Sequence, residues 1–491
     1  YGLGEAGEGR NITHNQKKLN EDELLYFRNR FNLKFTDDEA MKAPFYRFKK
    51  NSKEYKYLKK QRDNLGGFLP SRTDKSKNLK VPDLSIFKEL IDGSGDRKIS
   101  TTMAYVRLIT LLTKDKNIGQ HIVPIIPDEA RTFGMDPLFR QLGIYSSAGQ
   151  LYDPVDSDQF LYYKEAKNGQ ILEEGINEAG AVSSFIAAGT SYSNHGIKMI
   201  PFYIYYSMFG FQRTWDLIWA AGDMRARGFL LGGTAGRTTL NGEGLQHQDG
   251  HSHLAAAATP NIKAYDLAYG YEIATIIHHG MVEMCEKNKD VIYYLTLENE
   301  NYEHPPMPKK VQNDIIKGLY KIKSTENPTV RLLGSGPLMG EVLEAAKLLK
   351  KDWDIEAGIW NVTSFSELRR DAEETERWNL LHSGDKPHKS HLEKCLSTNN
   401  VPTVAVSDYV KMVSEQIGPY VPGKYYALGT DGFGRSDTRE NLRRFFEVDR
   451  YYIVFTTLRA LAIENKLDIN IVEKAMKKYN LDPDKPSPIT V

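Results

Sequence analysis

The chain has 491 residues with 65 Lys and Arg against 64 Asp and Glu, which gives a formal net charge of +1. This balance provides no overall field for holding nucleic acid or an anionic membrane surface, and it leaves only local basic patches open. A hydrophobic fraction of 40% and a charged fraction of 26% are typical of a globular protein, and the length predicts two to four domains. No apolar run reaches the roughly 20 residues that a membrane span needs.

The cysteines and the N-terminus bear on the cellular setting of the chain. Cys285 and Cys395 cannot build a disulfide framework, and no cysteine pair has zinc-ligand spacing. We therefore expect a reducing compartment, the cytoplasm. The first ten residues are not a signal peptide and do not begin with Met, so we expect that the chain was cut or that it starts inside a longer polypeptide.

Residues 1–77 are polar and irregular in pattern. They are Gly-rich at first and then highly charged, and Tyr and Phe interrupt a run of charges at 47–60. A turn-rich stretch at 66–72 closes the segment. This composition predicts a connecting or mobile region without a core of its own.

From about residue 80 to 300, strand-like and helical patterns alternate. Such alternation predicts βαβ units and a mainly parallel sheet. The predicted strands are 123–126, 199–206, 229–231 and 291–295, with helices at 179–188 and 268–284.

The last third repeats the alternation after a boundary at 303–308, where three prolines break both helix and strand. The turn Gly334-Ser335-Gly336 follows a predicted strand and opens a helix, as in a dinucleotide-binding fingerprint, but the third glycine comes one place late. A tight strand–helix turn explains it equally well. The predicted strands are 329–333, 355–362, 403–407 and 425–428, with a helix at 338–349.

A carboxylate, Glu178, stands at the head of a predicted helix of small and apolar residues. Burial there would disfavour its ionised form, which suits proton exchange with a ligand nitrogen. Acidic residues are also common at helix N-termini for electrostatic reasons. The residue pattern alone leaves both interpretations open.

Aromatic residues occupy six of the eleven positions from 201 to 211. Core packing accounts for most of them. Tyr206 and Phe209 fall at the predicted carboxyl end of the strand, where α/β proteins gather their ligand sites.

Residues 232–253, here called the Gly-rich segment, combine many glycines with His247, His251 and His253. Dense glycine lets backbone approach a ligand closely. The histidine spacing fits no common tetrahedral zinc set, so we favour imidazoles that bind substrate or transfer protons, with zinc as the alternative. The segment lacks the Lys-Ser/Thr end of a P-loop, so nothing supports nucleoside triphosphate binding.

Together these stretches resemble the homodimeric-type pyruvate dehydrogenase, the thiamine-diphosphate first component of the bacterial pyruvate dehydrogenase complex. The resemblance covers essentially the whole chain and implies an α/β, transketolase-like architecture with a parallel-sheet pyrimidine-binding domain and a C-terminal α/β domain. The runs that carry it are 127–135, 175–180, 199–213, 232–253 and 428–437.

The resemblance also implies the domain division. Residues 1–77 match the tail of a diphosphate-binding domain with its mobile loop and linker, 78–307 an aminopyrimidine-binding domain, and 308–491 a transketolase-like C-terminal domain. The body of the diphosphate-binding domain, with its GDG…N-type motif for Mg²⁺, is absent from these residues. We therefore expect no metal ligand here and predict that the chain alone is catalytically incomplete.

Site residues follow from the same resemblance. Glu178 matches the glutamate that hydrogen-bonds the pyrimidine ring and activates the cofactor, and Phe209 matches the aromatic residue stacked on that ring. His14, in the loop-like stretch 11–18, matches a histidine implicated in passing the acetyl group to lipoamide. The remaining matches, which line the reaction centre, are Tyr206, Glu129 and His247.

The implied function is oxidative decarboxylation of pyruvate with reductive acetylation of a lipoyl domain of dihydrolipoyl acetyltransferase, which feeds acetyl-CoA synthesis. The implied partners include a complementary diphosphate-binding part, in a homodimer or a hetero-oligomer, and no nucleic acid or membrane. Two alternatives stay open: a transketolase-like ketol transferase, and a non-catalytic half-enzyme that serves as a scaffold.

Overall fold

The computed structural model describes residues 7–67, 76–127, 130–155, 163–323, 328–397 and 400–491. The chain divides into two units, residues 1–73 and 74–491. No helix within the described ranges is both long and apolar enough to span a membrane.

Side-chain caps organise the described residues of the first unit into short helices. Asn20 accepts a hydrogen bond from Glu23 N, and the Glu23 carboxylate accepts one from Asn20 N, which completes a capping box. Capping and local propensity, and not an apolar stripe, produce these helices, which the sequence pattern did not predict. They are α1 (Glu21–Arg30), α2 (Asp37–Met41) and α3 (Lys53–Asn64).

The second unit alternates strands and helices, as the sequence predicted. Its described strands are β1 (Lys98–Ile99), β2 (Ile122–Ile126), β3 (Ile144–Tyr145), β4 (Glu165–Ala166), β5 (Leu172–Glu173), β6 (Ile200–Tyr206), β7 (Gly228–Gly233), β8 (Ile262–Asp266), β9 (Ile292–Thr296), β10 (Tyr302–Glu303), β11 (Leu319–Lys323), β12 (Val330–Gly334), β13 (Ala357–Val362), β14 (Thr403–Val406) and β15 (Tyr425–Leu428). Its described helices are α4 (Lys88–Ile91), α5 (Thr101–Leu112), α6 (Pro137–Leu142), α7 (Glu178–Gly189), α8 (Ser191–Asn194), α9 (Ser207–Asp223), α10 (Ser252–Ala258), α11 (Gly270–Met281), α12 (Gln312–Lys317), α13 (Met339–Trp353), α14 (Phe365–Leu381), α15 (His391–Leu396), α16 (Lys411–Glu415), α17 (Arg439–Phe445), α18 (Arg450–Ile463) and α19 (Ile469–Lys478).

A parallel sheet in the order β5-β2-β6-β7-β9-β8 forms the first part of this unit. Alternate residues of β6 divide between two hydrophobic clusters. Phe202 and Ile204 belong to the cluster that includes α5 and α11, and Tyr203 and Tyr205 belong to the one that includes α7 and α9. Because both faces are covered, the strand is apolar along its whole length.

A second sheet in the order β11-β13-β12-β14-β15 follows. The β11 strand pairs antiparallel with β13, and the other neighbours in this sheet are parallel. The expected fold class, a parallel-sheet domain followed by a C-terminal α/β domain, is confirmed. The domain boundaries at 77 and 307 stay predictions.

Glu272, in the first turn of α11, is a buried carboxylate that joins the two sheet regions. Its Oε2 accepts hydrogen bonds from Ala268 N at 2.7 Å and Tyr269 N at 3.1 Å. Its Oε1 accepts from the Tyr320 hydroxyl and, at 2.5 Å, from Asn361 Nδ2. Burial raises the pKa of Glu272 to about 7, although the hydrogen bonds from Tyr320 and the backbone oppose the shift.

We expect Glu272→Gln to change the pH dependence of stability. The pKa of Glu272 rises from an ordinary 4.5 to about 7 on folding, so the folded chain keeps a proton in this range that the unfolded chain releases. This group therefore lowers the free energy of unfolding as the pH rises from about 4.5 to about 7. The amide removes that slope and leaves a donor unpaired, at a cost of about 1–3 kcal/mol. Urea unfolding between about pH 5 and pH 7.5 measures both effects.

Glu393→Gln is the matched control, because Glu393 is the third residue of α15 and accepts from Ser390 N in a capping box. It reports what the loss of a helix-cap carboxylate does to stability by itself. An unchanged slope in Glu272→Gln would contradict the assignment to Glu272.

Candidate active site

An aromatic cluster forms where β6 ends and α9 begins. Tyr206 is the last residue of the strand, and Phe209 lies in the first turn of the helix. Their ring centroids are 6.0 Å apart. The His247 ring lies 5.4 Å from the Tyr206 ring and 5.2 Å from the Phe209 ring. The structure thus brings together side chains that the sequence singled out in two separate stretches.

Glu178 is joined to this cluster through Arg213. The Arg213 Nη1 donates a hydrogen bond to Glu178 Oε1 at 2.7 Å, and the same guanidinium lies 3.9 Å from the Phe209 ring centroid. Glu178 is only 9% exposed. The side-chain cap of the helix is Asn177, which accepts from Gly180 N, and Glu178 lies in the first turn, where the helix dipole also favours a carboxylate.

His247 ends a short 3-10 helix, Leu245–His247, within the Gly-rich segment. Its backbone N–H donates to Gly244 O at 2.9 Å. Its Nδ1 is buried and has no hydrogen-bond partner among the described residues. A buried polar atom without a partner costs free energy, and contact with a ligand would relieve that cost.

His253, another histidine of the segment, contacts other residues than His247 does. Its ring packs against Tyr294 at 5.3 Å and Tyr409 at 4.6 Å, and its Nε2 lies 3.1 Å from Thr296 Oγ1. Burial lowers the pKa of His253, which favours the neutral imidazole. Within the part of the chain that the structure describes, no group of three or more His, Cys, Asp or Glu side chains could hold a metal ion. That these histidines do not bind zinc stays a prediction.

The structure gives no position relative to this cluster for two other predicted site residues. Glu129 belongs to the pair 128–129, which lies outside the described residues. His14 is exposed and lies in the 3-10 turn Asn11–Asn15 of the first unit, whereas the aromatic cluster belongs to the second. The roles of both residues stay predictions.

Sequence reasoning missed Asp249, which ties the Gly-rich segment to the start of α9. Its carboxylate accepts hydrogen bonds from Ser207 Oγ at 2.5 Å and from the Ser252 hydroxyl. His251 N and Ser252 N also donate to it, at 2.9 Å and 3.0 Å. Burial opposes ionisation, but these bonds outweigh it and hold the pKa of Asp249 below its ordinary value. The available signal was an Asp in a Gly-rich loop, because such side chains commonly accept from the backbone N–H two residues on, as Asp249 does from His251 N.

Solved transketolases share this fold. The Pichia stipitis enzyme in complex with sedoheptulose 7-phosphate matches with a TM-score of 0.60 at 14% identity, over 92% of this chain and 60% of that one. The Leishmania mexicana transketolase matches with a TM-score of 0.58 at 15% identity, over 96% and 53%. The chain therefore has the transketolase-like fold, and at these identities the likeness shows the fold alone.

Sequence relatives give a more specific similarity than the fold does. Residues 79–305 match the pyruvate dehydrogenase E1 component middle domain, and residues 318–449 match the transketolase-like C-terminal domain. The pyruvate dehydrogenase E1 component of Cupriavidus necator is 55% identical over 100% of this chain and 55% of its own length. That of Pseudomonas aeruginosa is 56% identical over 100% and 56%. The chain is thus similar over its whole length to pyruvate dehydrogenase E1 components, and it spans about half the length of these curated relatives.

Gly210 leaves room for the Tyr205 ring under the first turn of α9, because a Cβ at this position would overlap that ring. We expect Gly210→Ala to push the ring and the helix apart and to lower the free energy of unfolding by about 1–3 kcal/mol or more. Phe209 directly precedes Gly210, so the distance between its ring and His247 should also change. Urea unfolding and a crystal structure of the variant measure the two effects.

Gly340→Ala is the control, because Gly340 lies in the first turn of α13 and a Cβ there would meet no atom within 4 Å. It should stabilise the chain by about 0.5–1 kcal/mol, since alanine loses less backbone entropy in a helix. If both variants unfold at the same urea concentration, the explanation for Gly210 is wrong.

Proposed function

We propose that the protein to which this chain belongs decarboxylates pyruvate oxidatively and passes the acetyl group to a lipoyl domain, with thiamine diphosphate as its cofactor. The observation that carries this proposal is the arrangement of Glu178, Arg213 and Phe209. Identity of 55–56% to pyruvate dehydrogenase E1 components over the whole chain supports the choice of substrate.

The arrangement fits the aminopyrimidine ring of this cofactor. The Arg213 guanidinium is flat and bears N–H donors, and it both lies on the Phe209 ring and donates to Glu178. An aminopyrimidine is also flat, and its ring nitrogen donates an N–H once it is protonated, so Glu178 and Phe209 would hold it by the same two contacts. When bound, thiamine diphosphate supplies the electron sink that decarboxylation of a 2-oxo acid requires.

The side chains of this chain have distinct tasks in that reaction. Glu178 exchanges a proton with a ring nitrogen, because a carboxyl group within hydrogen-bond reach can give and take the same proton. His247 lies against the Phe209 ring, and its Nδ1, which has no partner among the described residues, binds the substrate. Tyr206 lies against the His247 ring and excludes water from it.

We propose further that the diphosphate and Mg²⁺ are held outside these residues. The curated relatives are nearly twice as long as the part of them that this chain matches. The complementary diphosphate-binding part is therefore an N-terminal half of the same polypeptide or a separate chain. Dihydrolipoyl acetyltransferase, through its lipoyl domain, is the proposed acceptor of the acetyl group.

Sugar phosphates are the competing substrate class, because solved transketolases share the fold. We expect the chain, assembled with its diphosphate-binding part, Mg²⁺ and thiamine diphosphate, to turn over pyruvate and not xylulose 5-phosphate. We expect Glu178→Gln to fold but to lower turnover by roughly 100-fold or more, because an amide cannot exchange the proton. Exchange of the cofactor thiazolium C2–H with deuterium, followed by NMR, should slow in parallel.

Glu393→Gln, which changes a carboxylate in the first turn of another helix, should keep full turnover. Ketol transfer without pyruvate turnover would favour the transketolase alternative. If neither substrate reacts, the non-catalytic alternative is correct. Normal C2–H exchange in Glu178→Gln would remove the proposed role of that residue.

His14 supplies a prediction for the second half-reaction. If His14 serves acetyl transfer, His14→Ala should spare decarboxylation with an artificial electron acceptor and lower acetylation of a lipoyl domain by roughly 100-fold. Paired assays on one enzyme preparation measure the two steps. His195→Ala, which removes an exposed histidine of the second unit, should affect neither, and an equal loss of both activities in His14→Ala would show that the role is not specific to transfer.

A further inference from the structure

The Gly-rich segment is held near both of its ends by three consecutive residues of the C-terminal region, 408–410, which follow β14. Arg237 N donates to Asp408 O at 3.1 Å, near the start of the segment. Val410 N donates to Gly250 O at 2.8 Å, near its end. His247 lies between these two points, so residues 408–410 set the span within which it can move.

The Asp408 side chain adds a second attachment with both carboxylate oxygens. Its Oδ1 accepts from Thr238 N at 2.9 Å and from Thr238 Oγ1 at 2.7 Å. Its Oδ2 accepts from Thr239 N at 2.9 Å and from Thr239 Oγ1 at 2.7 Å. Asp408 and both threonines are completely buried. Hydrogen bonds to a buried charged acceptor are among the stronger ones in proteins.

The Arg237 side chain extends the attachment along the segment. Its guanidinium donates to Thr430 O at 2.7 Å and to Gly432 O, and both acceptors belong to the loop after β15. The same guanidinium passes directly over Gly250, where any Cβ would overlap it. Glycine at position 250 is therefore required for this arginine to reach the C-terminal region.

Gln248, which directly follows His247, is also attached to the C-terminal region. Its Nε2 donates to Leu240 O at 2.7 Å, which folds the segment on itself. Its Oε1 accepts from Arg435 N at 2.6 Å, which again is a C-terminal residue. The Gln248 side chain is completely buried, so the backbone of the neighbouring His247 has little freedom.

We infer that Asp408 is a positioning residue for His247, which it acts on through the Gly-rich segment. This inference rests on the proposed function only in the role of His247 as the group that binds substrate. It assigns to the C-terminal region a task in the reaction, that of holding a substrate-binding imidazole against Tyr206 and Phe209. Asp408 is completely buried and both of its carboxylate oxygens are bonded to the segment, so it acts through the segment.

Asp408→Asn tests the inference. The amide keeps the shape but offers one acceptor oxygen, so its NH₂ group faces the backbone N–H of Thr238 or Thr239 and one of these donors loses its acceptor. In the full-length protein, we expect kcat/KM for pyruvate to fall about tenfold. Amide hydrogen exchange in peptides covering 234–250 should accelerate by a similar factor.

Asp352→Asn is the matched control, because Asp352 also lies in the C-terminal region and accepts from Tyr479 at 2.8 Å and Lys478 at 3.2 Å. It should leave kcat/KM and exchange in 234–250 unchanged. If Asp408→Asn does not fold, Thr239→Val removes a single hydroxyl donor from the same carboxylate, and Thr239→Ser restores it. Recovery of kcat/KM in the serine variant is then the expected result.

A double-mutant cycle with His247→Ala separates positioning from general loss of structure. If Asp408 acts through His247, Asp408→Asn has little further effect on kcat/KM in the His247→Ala background. An equal fold-change in both backgrounds would overturn the inference. Unchanged amide hydrogen exchange in peptides covering 234–250 would also overturn it.

One readout is independent of turnover. The NMR signal of the His247 imidazole, assigned by its loss in His247→Ala, should shift in Asp408→Asn and stay in place in Asp352→Asn. If the wild-type protein does not turn over pyruvate, the proposed function fails, and a shifted signal would still support the positioning of His247. An unshifted signal would overturn it.

Discussion

The parallel pairing of β6 with β7 decides which residues meet at the candidate site. Tyr206 pairs with Gly233 in the register of these strands, so both strands end at the same edge of the sheet. The chain then continues into α9 from one strand and into the Gly-rich segment from the other. A Cβ at Gly233 would lie 2.7 Å from the Phe133 ring, so the close approach of β7 to its surroundings depends on glycine. The meeting of Phe209 with His247 follows from this geometry.

Contacts between the two sheet regions are polar as well as apolar. One continuous hydrophobic cluster includes Ile276 of α11, Leu338 and Val454 of α18. In addition, Glu272 of the first sheet region accepts hydrogen bonds from Tyr320 and Asn361 of the second. Buried polar groups of this kind require their partners at fixed positions, because an unpaired group costs about 1–3 kcal/mol. The two regions are therefore fixed relative to each other, and the C-terminal region can impose a position on the Gly-rich segment.

Strands that are buried on both faces were the part of the fold that the sequence predicted best. The predicted strand at 199–206 matches β6, because each of its residues is apolar or aromatic, whichever face it occupies. The sequence pattern did not predict β8, because Lys263 and Asp266 give this strand the composition of a loop. It also missed the helices of the first unit, because α3 has no buried residue and so shows no apolar stripe.

The sequence predicts only part of the candidate site, because several of its contacts join residues that are far apart in the chain. Glu178 and the aromatic residues stand out within their own short stretches. The Arg213 partner of Glu178 is 35 residues away, and the contact requires α9 to lie beside α7. Asp408 is 170 residues from Thr238, and no local pattern marks it as an acceptor. Contacts of this kind depend on the tertiary fold, and single-sequence patterns do not encode them.

The pairing of Arg213 with Glu178 also has an energetic consequence for ligand binding. The Arg213 side chain is 47% exposed, whereas the Glu178 side chain is 11% exposed. An ion pair with one partner in solvent contributes only about 0–1 kcal/mol, so Arg213 can leave at little cost and recover its hydration. Glu178 cannot stay without a partner, because a buried carboxylate without a hydrogen bond is strongly disfavoured. A flat ligand that both stacks on Phe209 and donates an N–H to Glu178 therefore replaces the arginine without leaving a buried charge unpaired, and a ligand that only stacks does not.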